Sequence, residues 1–186
     1  MNVCIFYYDE FAEFEVVLAA LQFKDHNIFT AAMEQREYRS EEHQRFLPDY
    51  TIDQLQASDI DLFIIPGGDP EPLFSEQRLG EFLKKLHSVG NYLAAICGGS
   101  SLLAHFGLLA GKRCTGSGNG LHPEYPHYPL FAEAEITNND VEIDGTIITA
   151  VGGAFTDFAT ELGRVFGLYS NDEEYQADLK WVKNLK

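Results

Sequence analysis

The 186-residue sequence is poor in positive charge: 13 Lys and Arg stand against 29 Asp and Glu, a formal net charge of −16. A field of that sign repels phosphate backbones and anionic lipid. No basic cluster larger than Lys84-Lys85 or Lys112-Arg113 interrupts it, so neither nucleic acid nor a membrane surface is an expected partner. The acidic surplus otherwise describes a well-solvated surface. Cysteine is scarce and odd in number: Cys4, Cys97 and Cys114 are far apart, with no C-x-x-C pair for zinc or dithiol exchange. Free thiols in a reducing, cytoplasmic setting are the expectation. Apolar runs long enough to cross a bilayer are missing, and the opening Met-Asn-Val-Cys-Ile lacks the basic start of a secretory signal. Neither G-x-G-x-x-G nor a Walker lysine occurs, so no nucleotide cofactor, or any other, is expected.

What is present is the composition of one ordinary globular domain over residues 1–186, 45% hydrophobic and 23% charged. A chain of this length buries roughly 70% of its unfolded surface and needs no staple. Residues 2–8 and Asp61–Pro66 read as strands buried on both faces, and Tyr92–Ile96 as a third. Asn27–Met33 fits another strand, and the charged stretch Glu34–Arg45 an exposed hairpin. Ala134–Ile143 and Thr146–Val151 are strand candidates joined across Asp144-Gly145. Helices are expected over 11–23, 75–89, 98–106, 155–169 and 172–185. The first is apolar almost all round, which predicts packing on more than one side. Lys112–Leu130 reads as loop. Strands alternating with helices argue a three-layer α/β/α sandwich around a mostly parallel, flavodoxin-like sheet.

The most informative stretch is Ala94-Ala-Ile-Cys-Gly-Gly-Ser, where a strand runs straight into a helix with Cys97 at the junction. This is a nucleophile elbow with Cys in place of Ser, and Ala95 and Gly99 supply the small neighbours that a sharp reversal demands. The helix start favours a thiolate, which predicts a lowered pKa for Cys97, and the Gly98 amide is placed to donate to a developing oxyanion. Cys4 belongs to the core. Cys114, next to Lys112-Arg113, is the weaker nucleophile candidate. Gly67 and Gly68, after a buried strand, offer further backbone donors at the carboxyl edge of the sheet. Asp9, Glu10, Glu13 and Glu15 lie at that same edge, and helical periodicity does not choose among them.

Taken in order, Phe11-Ala-Glu-Phe-Glu15, Asp61–Gly68 ending in Pro-Gly-Gly, the Cys97 elbow, Gly107-Leu-Leu-Ala-Gly-Lys-Arg and Asp144-Gly-Thr-Ile-Ile-Thr resemble the ThiJ/PfpI superfamily, relatives of the class I glutamine amidotransferases. The resemblance spans most of the chain. It implies Cys97 as nucleophile, Glu15 as a protonated partner of the sulfur, Gly68 and Gly98 as oxyanion donors, and a homodimer. It is strongest to a bacterial subgroup with Phe-Ala-Asp-Trp-Glu at the Glu15 motif. The departures are informative. The protease-like branch has His directly after the nucleophile, where this chain has Gly98. A deglycase branch has a histidine at the place that counting back from Asp144-Gly145 brings to Glu133, and no histidine follows His127. A ready Cys-His-Glu triad is therefore missing, and peptidase or true amidotransferase activity is not expected.

His105, eight residues into the following helix, lies about 12 Å along the axis and out of reach. The loop Leu121–Pro129 can present His122 or His127, or Tyr125 or Tyr128, as a proton donor if it folds over the elbow. Pro123 and Pro126 deny His122, Glu124 and His127 a helical ligand spacing, and no metal is expected. The implied function is a cysteine-dependent enzyme acting on a small electrophilic substrate, such as an aldehyde or amide. The alternative is a redox sensor signalling through oxidation of Cys97.

Overall fold

The computed structural model describes residues 1–184. The first half of the chain runs β1 (Asn2–Phe6), α1 (Phe14–Gln22), β2 (Asn27–Ala32), β3 (Tyr38–Arg39), β4 (Arg45–Phe46), β5 (Tyr50–Thr51), β6 (Leu62–Ile65) and α2 (Gln77–Ser88). The second half runs β7 (Tyr92–Ile96), α3 (Gly99–His105), β8 (Arg113–Cys114), β9 (Glu135–Ile136), β10 (Val141–Asp144), β11 (Ile147–Ala150), α4 (Phe155–Val165) and α5 (Asp172–Val182).

Seven strands form one sheet in the order β10-β11-β7-β6-β1-β2-β5, parallel except for β10. Its inner strands β2-β1-β6-β7-β11 follow the flavodoxin-like order, so the expected α/β architecture is the one observed. Alternate residues of each strand feed two cores, as a pleated sheet requires. Cys4, Phe6, Phe63, Ile65 and Leu93 pack with Leu79, Leu83 and Leu86 of α2 and Leu102 and Leu103 of α3. Val3, Ile5, Leu62, Ile64 and Ile148 pack on the other face with Val16 and Ala19 of α1 and Phe158 and Leu162 of α4. The strand order reverses between β1 and β6, and ligands of open α/β sheets bind at the carboxyl ends of such a pair.

Several sequence expectations shift by a few residues for identifiable reasons. Helix α1 starts at Phe14 rather than Phe11, because Phe11 forms an antiparallel bridge with Gly68. Its outer face stays partly open, with Phe14, Val17 and Leu21 41%, 46% and 45% exposed, while the helix meets the sheet, α4 and, through Gln22, Asp178 of α5. It lies in an outer layer, where the inward face meets the sheet and α4 while the far face meets no third layer. The stretch expected as one strand over 134–143 divides, with β9 pairing in parallel with β8 and β10 pairing antiparallel with β11. Asp144 pairs with Ile147, so the turn residues are Gly145-Thr146, one place later than expected. The Glu34–Arg45 hairpin is present as β3 and β4. Helix α4 stops at Val165, short of Tyr169, with Gly167 at φ 66° just beyond. The expected end of the last helix at Leu185 falls outside the described residues. Among the described residues no helix is long and apolar enough to cross a membrane.

Candidate active site

Two segments meet beyond the carboxyl ends of β1 and β6. The Phe11–Gly68 bridge, and an Ala12 amide donating to the Gly67 carbonyl at 2.9 Å, stitch the loop after β1 to the Pro66-Gly67-Gly68 strap. Gly68 has φ 113°, a conformation open to glycine and strained for other residues, and a β-carbon there would run into the Glu10 carbonyl. Tyr8, 2% exposed, donates its hydroxyl to the strap, with the carbonyl oxygens of Pro66 and Gly67 at 2.9 and 2.6 Å. Glu42, from the β3–β4 hairpin, accepts from the Glu13 and Phe14 amides at 3.1 and 3.3 Å and so caps α1. These ties set the first turn of α1 against the strap. Glu15 lies in that turn, 2% exposed, and the Gly67 amide donates to its Oε2 at 2.7 Å.

Cys97 enters from the end of β7. Its amide donates to the Ala150 carbonyl at 2.8 Å, continuing the ladder with β11, and its φ is 55°. A non-glycine residue in this left-handed conformation costs roughly 1–2 kcal/mol, the strain expected of an elbow. The chain then enters α3, whose absent side chain at Gly99 faces the Pro66 carbonyl. The Gly98 and Gly68 amides lie near enough to the Cys97 sulfur to pull its thiol down, and the sulfur and Glu15 Oε1 face the same vacant side of Gly152. Cys97 is half-buried, whereas Cys4 and Cys114 are fully buried.

The electrostatics correct one expectation. The Cys97 thiol is not lowered: burial pushes it up to about 12, and the Glu15 charge adds to that, against the pull of the two amides. Burial also pushes the Glu15 carboxyl up to about 7, with the Gly67 amide opposing. The two groups lie side by side, so their protons belong to the pair. The pair loses its first proton near neutrality, and that proton leaves Glu15, so the monoanion is a carboxylate beside a thiol that the Glu15 charge helps to hold protonated.

The remaining candidates are placed elsewhere. The Gly67 amide is engaged by Glu15 and is not free for an oxyanion. Asp9 pairs with Arg36, and Glu10 is exposed. Cys114 is pushed up to about 11 by burial and the nearby Glu142. The cations expected to activate it are taken, Lys112 by Asp144 at 3.3 Å and Arg113 by Glu142 at 3.3 Å. Glu133 is exposed beside Leu109 and Ala110; from the long loop it is Ser117 whose amide reaches Cys97, donating to its carbonyl at 3.0 Å. His105 bonds the Phe74 carbonyl at 2.8 Å. His122 is exposed near Gly120, and His127 packs edge-on against Phe74 and Tyr125. Neither imidazole is among the groups that shift the Cys97 thiol most. Among the described residues, metal-type donors converge at Asp69, Glu71 and His127, within 4.8 Å of one another, without His122 or Glu124. Both carboxylates are exposed.

The model of the DJ-1/PfpI family matches residues 1–164. The chain belongs to the DJ-1/PfpI family. Deglycase PfpI of Pyrococcus furiosus is 24% identical over 153 residues, covering 81% of this chain and 89% of that protein. Protein DJ-1alpha of Drosophila melanogaster is 30% identical over 120 residues, covering 62% and 53%. Among solved structures, a DJ-1 superfamily protein of Agrobacterium tumefaciens superimposes with a TM-score of 0.77 at 28% identity, covering 98% of this chain and 97% of its own.

In this DJ-1/PfpI chain two contributors escape a reading by motif. Gly152 is one: a β-carbon there would stand 2.7 Å from Glu15 Oε1 and 3.0 Å from Cys97 Sγ. Gly67 is its counterpart, with a β-carbon 2.6 Å from Cys97 Cβ and in collision with the Glu15 carboxyl. The Glu15–Cys97 pair occupies the space that two side chains have vacated. Gly152-Gly153 follows β11 just as Gly67-Gly68 closely follows β6, and that repeated pattern was available in the sequence. Tyr8 is the other. Nothing local distinguishes its hydroxyl from that of any strand tyrosine.

Proposed function

We propose that this chain is a cysteine-dependent enzyme acting on small carbonyl electrophiles of the aldehyde class. The observation that supports it is the buried Glu15 carboxyl beside a half-buried Cys97 sulfur, with two backbone amides near that sulfur. In the monoanionic pair the Glu15 carboxylate takes the thiol proton as the sulfur adds to the carbonyl carbon. The π electrons move to the carbonyl oxygen, which takes the proton held by Glu15 and leaves a hemithioacetal and a carboxylate. The Gly68 and Gly98 amides stand beside that oxygen while its charge develops. Relatives named deglycases are consistent with carbonyl chemistry at this site. Loss of methylglyoxal, measured beside panels of amides and acyl donors, tests the reading. The wild type is expected to consume the aldehyde and Cys97→Ser to consume none; equal rates in the two overturn it.

A second reading rests on exposure: Cys97 is the one cysteine not fully buried. Peroxide then oxidises its thiolate to sulfenate with release of water, and a second equivalent gives a sulfinate. In that case the output is the oxidised protein and no aldehyde is consumed.

A further inference from the structure

The strap that follows β6 continues past Gly68 along the start of α3. A β-carbon on Gly98 would meet the Gly68 carbonyl and stand 3.4 Å from Pro70 Cδ. Pro70 is buried, so Asp69 and Glu71 on either side of it are carried on a fixed stretch of backbone. Asp69 Oδ1 accepts the Glu71 amide at 3.1 Å, and the Leu73 and Phe74 amides donate to the carbonyls of Pro70 and Glu71 at 3.0 and 3.1 Å, closing a short helical turn. The loop after β8 approaches this turn from the other side of the sequence. Its Leu121 amide donates to Asn138 Oδ1 at 2.8 Å, and the Leu130 amide donates to the His127 carbonyl at 3.0 Å. Phe74 joins the two segments: its ring meets His127 edge-on at 5.2 Å and stacks on His105 at 4.5 Å. Tyr125 meets the same His127 imidazole edge-on at 5.4 Å, so two aromatic neighbours orient it.

These ties bring one donor atom each from Asp69, Glu71 and His127 within 4.8 Å of one another. Glu76, which faces the same cavity as Asp69, is paired with Arg78 at 3.8 Å. Among the described residues, neither Asp69 nor Glu71 forms an ion pair with Lys or Arg. Two like charges fixed on one short turn repel, and a cation between them removes that cost. The imidazole decides which cation. Calcium and magnesium take oxygen ligands, whereas a nitrogen beside two carboxylates suits zinc and similar ions. Zinc binds such donors at about 2.0–2.2 Å, which places ligands of one ion roughly 3–4 Å apart. Small rotations of the two exposed carboxylates therefore complete the set. Three protein donors leave a fourth position to water.

We propose that Asp69, Glu71 and His127 form a binding site for a divalent transition-metal ion of the zinc type, and that the ion clamps the loop after β8 to the strap beside the elbow. The clamp needs no chemistry at Cys97, so it goes beyond both readings of the elbow and depends on neither.

The test titrates Zn2+ calorimetrically into the full chain carrying Cys97→Ala, which removes the elbow thiol as a competing ligand. Saturable binding of one ion per chain is expected, and excess Mg2+ or Ca2+ is expected not to displace it. His127→Gln, Asp69→Asn and Glu71→Gln are each expected to weaken Zn2+ binding about tenfold or more, whereas His122→Gln changes it by less than about twofold. Asp69→Asn keeps the acceptor for the Glu71 amide, so its effect reports the lost charge and not a lost turn. Amide hydrogen exchange over residues 121–129 is expected to slow several-fold with Zn2+ bound, and not to respond to Zn2+ in His127→Gln. Zn2+ uptake that all three substitutions leave unchanged is adventitious binding to other surface acids and overturns the site. Absence of saturable uptake, or displacement by Mg2+, overturns it equally. Binding at these residues with no change in loop exchange overturns the clamp.

Discussion

The Gly67 amide donates a 2.7 Å hydrogen bond to Glu15 across 52 residues of sequence, in a place where Gly67 has no side chain to keep the carboxyl away. That contact holds an acid against a thiol in a site shielded from water, and it makes the proton inventory of the pair the controlling property. Four measurements follow from it.

Iodoacetamide alkylation of Cys97 is expected to rise through an inflection near pH 7, where the pair loses its first proton. Glutamine at position 15 keeps the acceptor for Gly67 but carries no charge. The Glu15 charge that helps to hold the thiol up is then gone, and Glu15→Gln is expected to react several-fold faster at pH 7.5 and to lose the inflection near pH 7. A variant that alkylates at the wild-type rate with the same inflection rules out the shared proton.

Stability carries the same signature with a definite sign. Glu15 is raised from 4.5 to about 7 on folding, so the folded state holds the proton more tightly. Its contribution is complete below pH 4.5 and is lost as the pH rises through about 7, a change of roughly 3 kcal/mol. Between pH 5 and pH 9, Glu15→Gln is therefore expected to gain stability relative to the wild type by about that amount in urea titrations. A constant difference between the two proteins across the range contradicts the raised carboxyl.

Gly152→Ala tests space alone, since this glycine is not in a left-handed conformation. Its β-carbon would press on Glu15 Oε1 and Cys97 Sγ, and such overpacking typically costs about 1–3 kcal/mol. The expectation is a folded protein with a lower melting temperature and a Cys97 alkylation rate changed at least several-fold. Wild-type values for both would mean that the pair has room to move.

Mild peroxide should discriminate sharply among the thiols. Cys4 and Cys114 are fully buried with their thiols pushed up by burial, so Cys97 alone is expected to gain oxygen. Peptide mass spectrometry of a time course reads this directly. Oxidation of Cys4 or Cys114 at a comparable rate removes the basis for redox sensing at the elbow.

Much of this was legible from local pattern. Buried runs such as Leu62–Ile65 declare strands because both faces of a parallel sheet are covered, and Ala95-Ile-Cys-Gly-Gly declares an elbow because only small neighbours fit a sharp reversal. The misjudged boundaries lie where a distant partner captures the backbone, as Gly68 does at Phe11 and β8 does at β9. The partly open outer face of α1 was not legible for a related reason, since an apolar pattern cannot say whether a third layer exists to meet it.

The sequence by itself determined the alternation of strands and helices, and the presence of a cysteine at a strand-to-helix junction, because both depend on residues within a few positions of one another. The family resemblance singled out Glu15 among four nearby acids, but only the tertiary structure showed it sealed beside that cysteine and decided that burial outweighs the amides in setting the thiol. It likewise decided that Tyr125, rather than a histidine, reaches the helix behind the sulfur. These outcomes depend on which distant segments exclude water from a given atom, and exclusion of water is a property of packing in three dimensions that no local spacing encodes.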